Sequence, residues 1–165
     1  MYRLEHGNRF IMDKSLYFDD CKTGMRYTVS PVLITREKIL SFAREYDPLP
    51  FHLDEQYAKT TVFGKLIAPG VMSFMSVWAE FVKLNVWGDS MVAGKSTKIE
   101  WFKPVFIGDT LNGEIIITGL TPMSNNVGIV ELTVNIFNQR QIQVIKDITE
   151  MLIRRRGKNP VAPPR

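Results

Sequence analysis

Asp47 and His52 place a carboxylate and an imidazole five positions apart in the run Tyr46-Asp47-Pro48-Leu49-Pro50-Phe51-His52-Leu53-Asp54. Such a pair can do proton chemistry, because imidazole is the side chain that exchanges protons near neutral pH. Pro48 and Pro50 stiffen the chain between the two groups. A proline fixes φ near about −65°, lacks an N–H and turns the preceding residue away from helix. The pair is therefore expected in an ordered loop rather than on one helical face, a setting from which catalytic side chains are commonly presented.

The flanking residues explain how such a loop would be held. Thr35 is a plausible N-cap for a helix from Arg36, in which Ile39, Phe42, Ala43 and Tyr46 recur at helical spacing and deliver the chain to Asp47. Asp54 suits the cap of a short helix through Glu55 to Lys59, so the segment is clamped at both ends. After Ala68-Pro69-Gly70, the span from Val71 to about Leu84 reads as a second long helix. It is apolar on nearly every face, through Val71, Phe74, Met75, Trp78, Phe81 and Val82 with Met72, Val77 and Ala79, and is expected to be buried. Gly70 and Val71 would then offer unpaired N–H groups at its positive end.

From Met91 the apolar period changes to two. Thr97, Ile99 and Trp101 alternate with Ser96, Lys98 and Glu100, and Pro104 marks an irregularity or an edge. Ile107-Gly108-Asp109 makes a turn; Leu111, Ile115 and Ile117 share one parity, and Val130, Leu132, Val134 and Ile136 form the clearest strand. A final strand from Ile142 to Arg154 changes apolar parity near Ile145, as a bulge would cause. A buried helix followed by consecutive antiparallel strands requires the sheet to wrap around it, an α+β architecture.

The chain has 165 residues, 45% of them hydrophobic, enough for one domain with a sizeable core. Residues 1–153 are read as that domain and 154–165 as a basic, proline-containing tail, frayed and solvated. The formal charge is +4, and the tail supplies five cations through Arg154, Arg155, Arg156, Lys158 and Arg165, leaving the body near neutral. Nucleic acid is therefore not an expected partner. The lone Cys21 excludes an intrachain disulfide and His6 lacks a motif, so no metal site is expected. Residues 1–11 lack the apolar run of a signal peptide, and no membrane-length apolar stretch exists; the expectation is a cytoplasmic protein without a membrane partner.

These pieces resemble the MaoC-like dehydratase and R-specific enoyl-CoA hydratase family of the hot-dog fold, over roughly residues 17–120. Asp47-Pro48-Leu49-Pro50-Phe51-His52 is similar to the family's Asp-x-Asn-Pro-x-His motif; His52-Leu53-Asp54, Ala58, Phe63-Gly64 and Ile67-Ala68-Pro69-Gly70 continue it. The later run from Phe102 to Leu111 resembles the family's strand-and-turn signature. Leu49 stands where the motif has Asn, a departure that bears on substrate, and Pro69 replaces the His of Ala-His-Gly while leaving the Gly70 N–H in place.

The resemblance implies an antiparallel sheet wrapped around a central helix, a homodimer with its site near the subunit junction, and reversible hydration of a trans-2-enoyl thioester to the (R)-3-hydroxyacyl product. Asp47 and His52 would activate the water, and the Gly70 N–H would receive the thioester oxygen. No cofactor is implied beyond the coenzyme A or acyl carrier protein that bears the substrate. Phe74, Met75, Trp78 and Trp101 could line an acyl tunnel, although such spacings more often mark core. A basic patch such as Arg154 to Arg156 could meet the carrier's phosphates. Two other readings stay open: an acyl-CoA thioesterase, since the fold hosts that chemistry too, and a non-catalytic acyl-thioester-binding subunit.

Overall fold

Val130, Leu132, Val134 and Ile136 are fully buried, as their alternation requires, and they mark the centre of a six-stranded antiparallel sheet. The computed structural model describes residues 15–157 and, as backbone, the paired strands Arg3–Glu5 (β1) and Arg9–Ile11 (β2). After them come β3 (Arg26–Thr28), β4 (Val32–Leu33), helices α1 (Arg36–Tyr46), α2 (Pro50–Leu53), α3 (Glu55–Lys59) and α4 (Gly70–Lys83), then β5 (Met91–Trp101), β6 (Thr110–Pro122), β7 (Val127–Phe137) and β8 (Gln143–Arg154). The sheet order is β3-β6-β7-β8-β5, with β4 also on β6. Pairing continues through Ile136 opposite Ile145 but resumes with Phe137 opposite Gln143, so Val144 is the extra residue that shifts the parity of β8. His6 and residues 158–165 lie outside the described residues.

Register aligns one apolar face. Gly113, Ile136, Ile145 and Trp101 lie side by side across four strands, followed by Ile115, Val134, Asp147 and Ile99. Against this face packs α4, burying Met72, Phe74, Val77 and Phe81 in the same core as Ile115, Leu132 and Ile153. A Cβ on Gly113 would lie 2.4 Å from Val77 Cγ1, so the absent side chain lets the helix close onto the sheet. The result is the hot-dog arrangement, a long helix held in an antiparallel sheet.

The helix caps form as expected. The Thr35 hydroxyl accepts the Lys38 N–H at 3.3 Å, and Asp54 Oδ1 accepts the N–H groups of Gln56 and Tyr57. The buried face of α1 is Ile39, Leu40 and Ala43, while Tyr46 at its end is solvent-exposed. The expectation that α4 is covered all round is corrected: Val71, Met75 and Val82 are each about half exposed, because the sheet covers only one side of the helix. Strand β5 is exposed along most of both faces, as an edge strand with no neighbour beyond it among the described residues.

The basic end is corrected as well. Arg154 completes β8, and the next two residues are docked rather than solvated. Arg155 pairs with Asp19 at 2.8 Å and lies over the Phe18 ring; Arg156 pairs with Asp20 at 2.6 Å and lies over Tyr17. Partial burial pushes the Asp19 carboxyl up, but the Arg155 guanidinium and the Arg156 N–H outweigh it and hold the carboxyl below its ordinary value. Among the described residues no helix is long and apolar enough to cross a membrane.

Candidate active site

Pro48 ends α1 and Pro50 begins another helical turn, so Asp47 and His52 stand on opposite sides of a short break. Asp47 is the C-cap of α1, with φ −151° and ψ 66°, and its N–H still bonds the Ala43 carbonyl. Pro50 occupies the first turn of α2, where its missing N–H costs nothing and its φ is already helical. Asp47 lies in the break expected from the prolines, whereas His52 is on a one-turn helix; Asp47, Pro48 and Leu49 are the non-helical residues between α1 and α2.

One extended segment ties this turn to the start of α4. The Ile67 N–H bonds the Phe51 carbonyl at 3.4 Å, the Ile67 carbonyl accepts a hydrogen bond from His52 Nδ1 at 2.8 Å, and the Ala68 N–H bonds the Val105 carbonyl at 2.8 Å. Two residues later Gly70 opens α4, with Pro69 as its N-cap. The N–H of a first helical residue has no acceptor within the helix. The chain from Ile67 to Gly70 therefore fixes both the imidazole and a free backbone donor.

That hydrogen bond also sets the tautomer. A carbonyl oxygen only accepts, so Nδ1 carries the hydrogen, and in the neutral ring Nε2 holds the lone pair. Nε2 lies 3.4 Å from Asp47 Oδ2, with the His52 side chain almost wholly buried and that of Asp47 about one-third exposed. In the neutral ring both Nε2 and Oδ2 are acceptors and do not bond each other directly. A water donating one hydrogen to each satisfies both and turns its oxygen lone pairs outward.

Outward is a cavity of about 460 Å³ lined by Asp47, His52 and Gly70 together with Phe63, Trp101, Val105 and Ile145. Trp101 reaches it because register places it beside Ile145 on the inner face. An added Cβ on Gly70 would lie 2.3 Å from the Trp101 indole nitrogen, so a side chain there would fit only if the indole shifted.

The three site residues expected from sequence, Asp47, His52 and Gly70, line one cavity. Of the four apolar residues considered for an acyl tunnel, Trp101 lines it, Phe74 is core stacked on Trp78, and Met75 faces outward. Asp54 is a cap, as its position suggested. Lys103 and Phe102, on the cavity wall, went unassigned because nothing in their spacing marks chemistry. Asp147, fully buried on β8, also went unnoticed; its carboxylate accepts from Thr97 Oγ1 at 2.5 Å and Thr149 Oγ1 at 2.6 Å.

Leu49 occupies the N-cap of α2 and makes no side-chain cap bond. Asparagine is among the best residues there, so Leu49→Asn is expected to stabilise the fold by about 1 kcal/mol, measured as a higher urea midpoint with unchanged slope.

Residues 21–137 match the family model for the MaoC like domain, and the chain belongs to the MaoC-like dehydratase family. It is 31% identical over 106 residues to an (R)-specific enoyl-CoA hydratase of Rhodospirillum rubrum, covering 64% of this chain and 72% of that enzyme. Among solved structures it resembles a monoamine oxidase regulatory protein from Archaeoglobus fulgius, with a TM-score of 0.83 and 28% identity over 88% of this chain and 99% of the other. A MaoC-like dehydratase from Rhodospirillum rubrum gives a TM-score of 0.76 and 28% identity over 86% and 99%. Family and relatives support a hydratase or dehydratase role.

Proposed function

We propose that this protein reversibly adds water to a trans-2-enoyl thioester, of coenzyme A or a related carrier, giving the (R)-3-hydroxyacyl thioester. The observation that carries this reading is His52 Nε2 standing 3.4 Å from Asp47 Oδ2 at the wall of a cavity that Gly70, the first residue of α4, also lines. The bound water breaks one O–H bond toward the pair as its oxygen bonds the β-carbon. The double-bond electrons move onto the thioester oxygen, where the Gly70 N–H stabilises the charge. The pair then returns the proton to the α-carbon, so atoms and charge balance without a cofactor.

The family and the enoyl-CoA hydratase relative support this reaction class over thioester cleavage. Crotonyl-CoA and a panel of longer, branched and dicarboxylic enoyl-CoAs test it, with loss of enoyl absorbance and release of free thiol followed separately. Loss of absorbance without thiol is expected; thiol release without hydration would point to a thioesterase, and neither across the panel to a binding subunit.

The half-exposed residues Val71, Met75 and Val82 on α4 and the open edge β5 support a homodimer. Sedimentation at micromolar concentration is expected to give twice the chain mass, and a monodisperse monomer would contradict it.

A further inference from the structure

The cavity has a neighbour. Lys103 and Pro104, on its wall, also form one side of a second cleft of about 210 Å³ whose other side is the β7–β8 turn carrying Arg140. That turn is well fixed: Asn138 Oδ1 accepts the N–H groups of Arg140 and Ile142 at 3.0 and 3.1 Å. Neither Lys103 nor Arg140 makes an ion pair among the described residues, whereas Arg155 and Arg156 are engaged by Asp19 and Asp20. Lys65 adds a third cation, its Nζ 4.1 Å from the centroid of Phe106, which lines the cleft.

Asp109 is the carboxylate lining this cleft, and both its oxygens are occupied. Oδ2 accepts the Phe106 N–H at 2.8 Å and Oδ1 accepts from Gln139 Nε2 at 2.9 Å, with the residue 8% exposed. Asp109 keeps its charge, but it is buried and turned to neutral donors, while the cleft's cations, Lys103 and Arg140, form no ion pair among the described residues. A guanidinium presents a planar fork and a lysine a point charge, a combination suited to phosphate. Because Lys103 and Pro104 line both spaces, one molecule can place an anion in the cleft and its other end in the cavity.

We propose that Lys103 and Arg140 bind the phosphate of a phosphopantetheine arm whose thioester end occupies the adjoining cavity. The inference rests on the reading of that cavity as a thioester site. It also names the cations that meet the carrier in place of the Arg154 to Arg156 group.

Calorimetric titration of the full chain with coenzyme A, and separately with 4′-phosphopantetheine, tests it without requiring turnover. In the Lys103→Gln/Arg140→Gln double variant the Kd for both is expected to rise about tenfold or more, with a flatter salt dependence. Unchanged Kd values, or no binding to the wild type, would overturn the proposal. A loss confined to coenzyme A would move the pair to the nucleotide end and overturn the assignment to the arm phosphate. Kinetically, kcat/KM of the variant is expected to fall about tenfold for whichever crotonyl thioester the wild type uses, that of coenzyme A or of an acyl carrier protein. It should fall less for crotonyl-N-acetylcysteamine, which carries no phosphate; equal falls would overturn the assignment. Pair-dependent binding without hydration would refute the reaction and leave the phosphate site standing.

Discussion

His52→Asn is expected to lower the turnover of crotonyl-CoA by about 10²–10⁴-fold, the range for loss of a positioned acid–base group. Asparagine is chosen because its amide N–H can take the place of Nδ1–H against the Ile67 carbonyl. The substitution then removes Nε2 without leaving a buried carbonyl unpaired, an effect that His52→Ala would add to the chemistry. Asp47→Asn is expected to cost a similar factor, since the amide oxygen can still accept a water hydrogen but brings no negative charge to draw the proton away. If the two groups hold one water, as proposed, the double variant should lose little more than either single one. Unfolding curves of His52→Asn close to wild type would assign the loss to chemistry.

Gly70→Pro is expected to reduce kcat by about 10²–10³-fold, the cost of one oxyanion donor. Proline suits the first helical position, and Pro69 already has φ −53° and ψ 133°, the extended conformation that a residue before proline requires. The helix therefore survives while its leading N–H is lost. Gly70→Ala supplies the control, keeping the N–H but placing a methyl 2.3 Å from the Trp101 indole nitrogen. The indole is about half exposed and can swing outward, so the alanine variant should lose much less activity. Trp101→Ala combined with Gly70→Pro removes the crowding and should not restore turnover. If Ala and Pro cost the same, bulk rather than the donor would be the property Gly70 supplies.

Sequence signals and structure agree where the cause is local. Thr35 and Asp54 cap helices because a short side-chain oxygen meets N–H groups two or three residues on. The alternation from Val130 to Ile136 and the parity change at Val144 are properties of single strands. The strands β3 and β4 escaped because two or three residues cannot display a period. The open side of α4 escaped for another reason: Val71 and Met75 are as apolar as Phe74, and the pattern does not say which face a sheet will cover. Arg155 and Arg156 read as tail because their partners, Asp19 and Asp20, lie 136 positions away in each pair. At the site, the Asp47–His52 spacing points to proton chemistry, while the helical turn that carries His52 is masked by Pro48 before it and Pro50 at its start. The Trp101–Gly70 contact depends on strand register and has no sequence signal of its own.

The central claim is that Asp47 and His52 jointly hold a water for addition to an enoyl thioester. Incubation of crotonyl-CoA with wild-type protein and with His52→Asn, followed by chiral analysis of the 3-hydroxybutyryl product, tests it most directly. The expected result is the (R)-alcohol from the wild type, with formation slowed by at least about a hundredfold in the variant. Equal rates of (R)-alcohol from both proteins, or free thiol in place of alcohol, would contradict it.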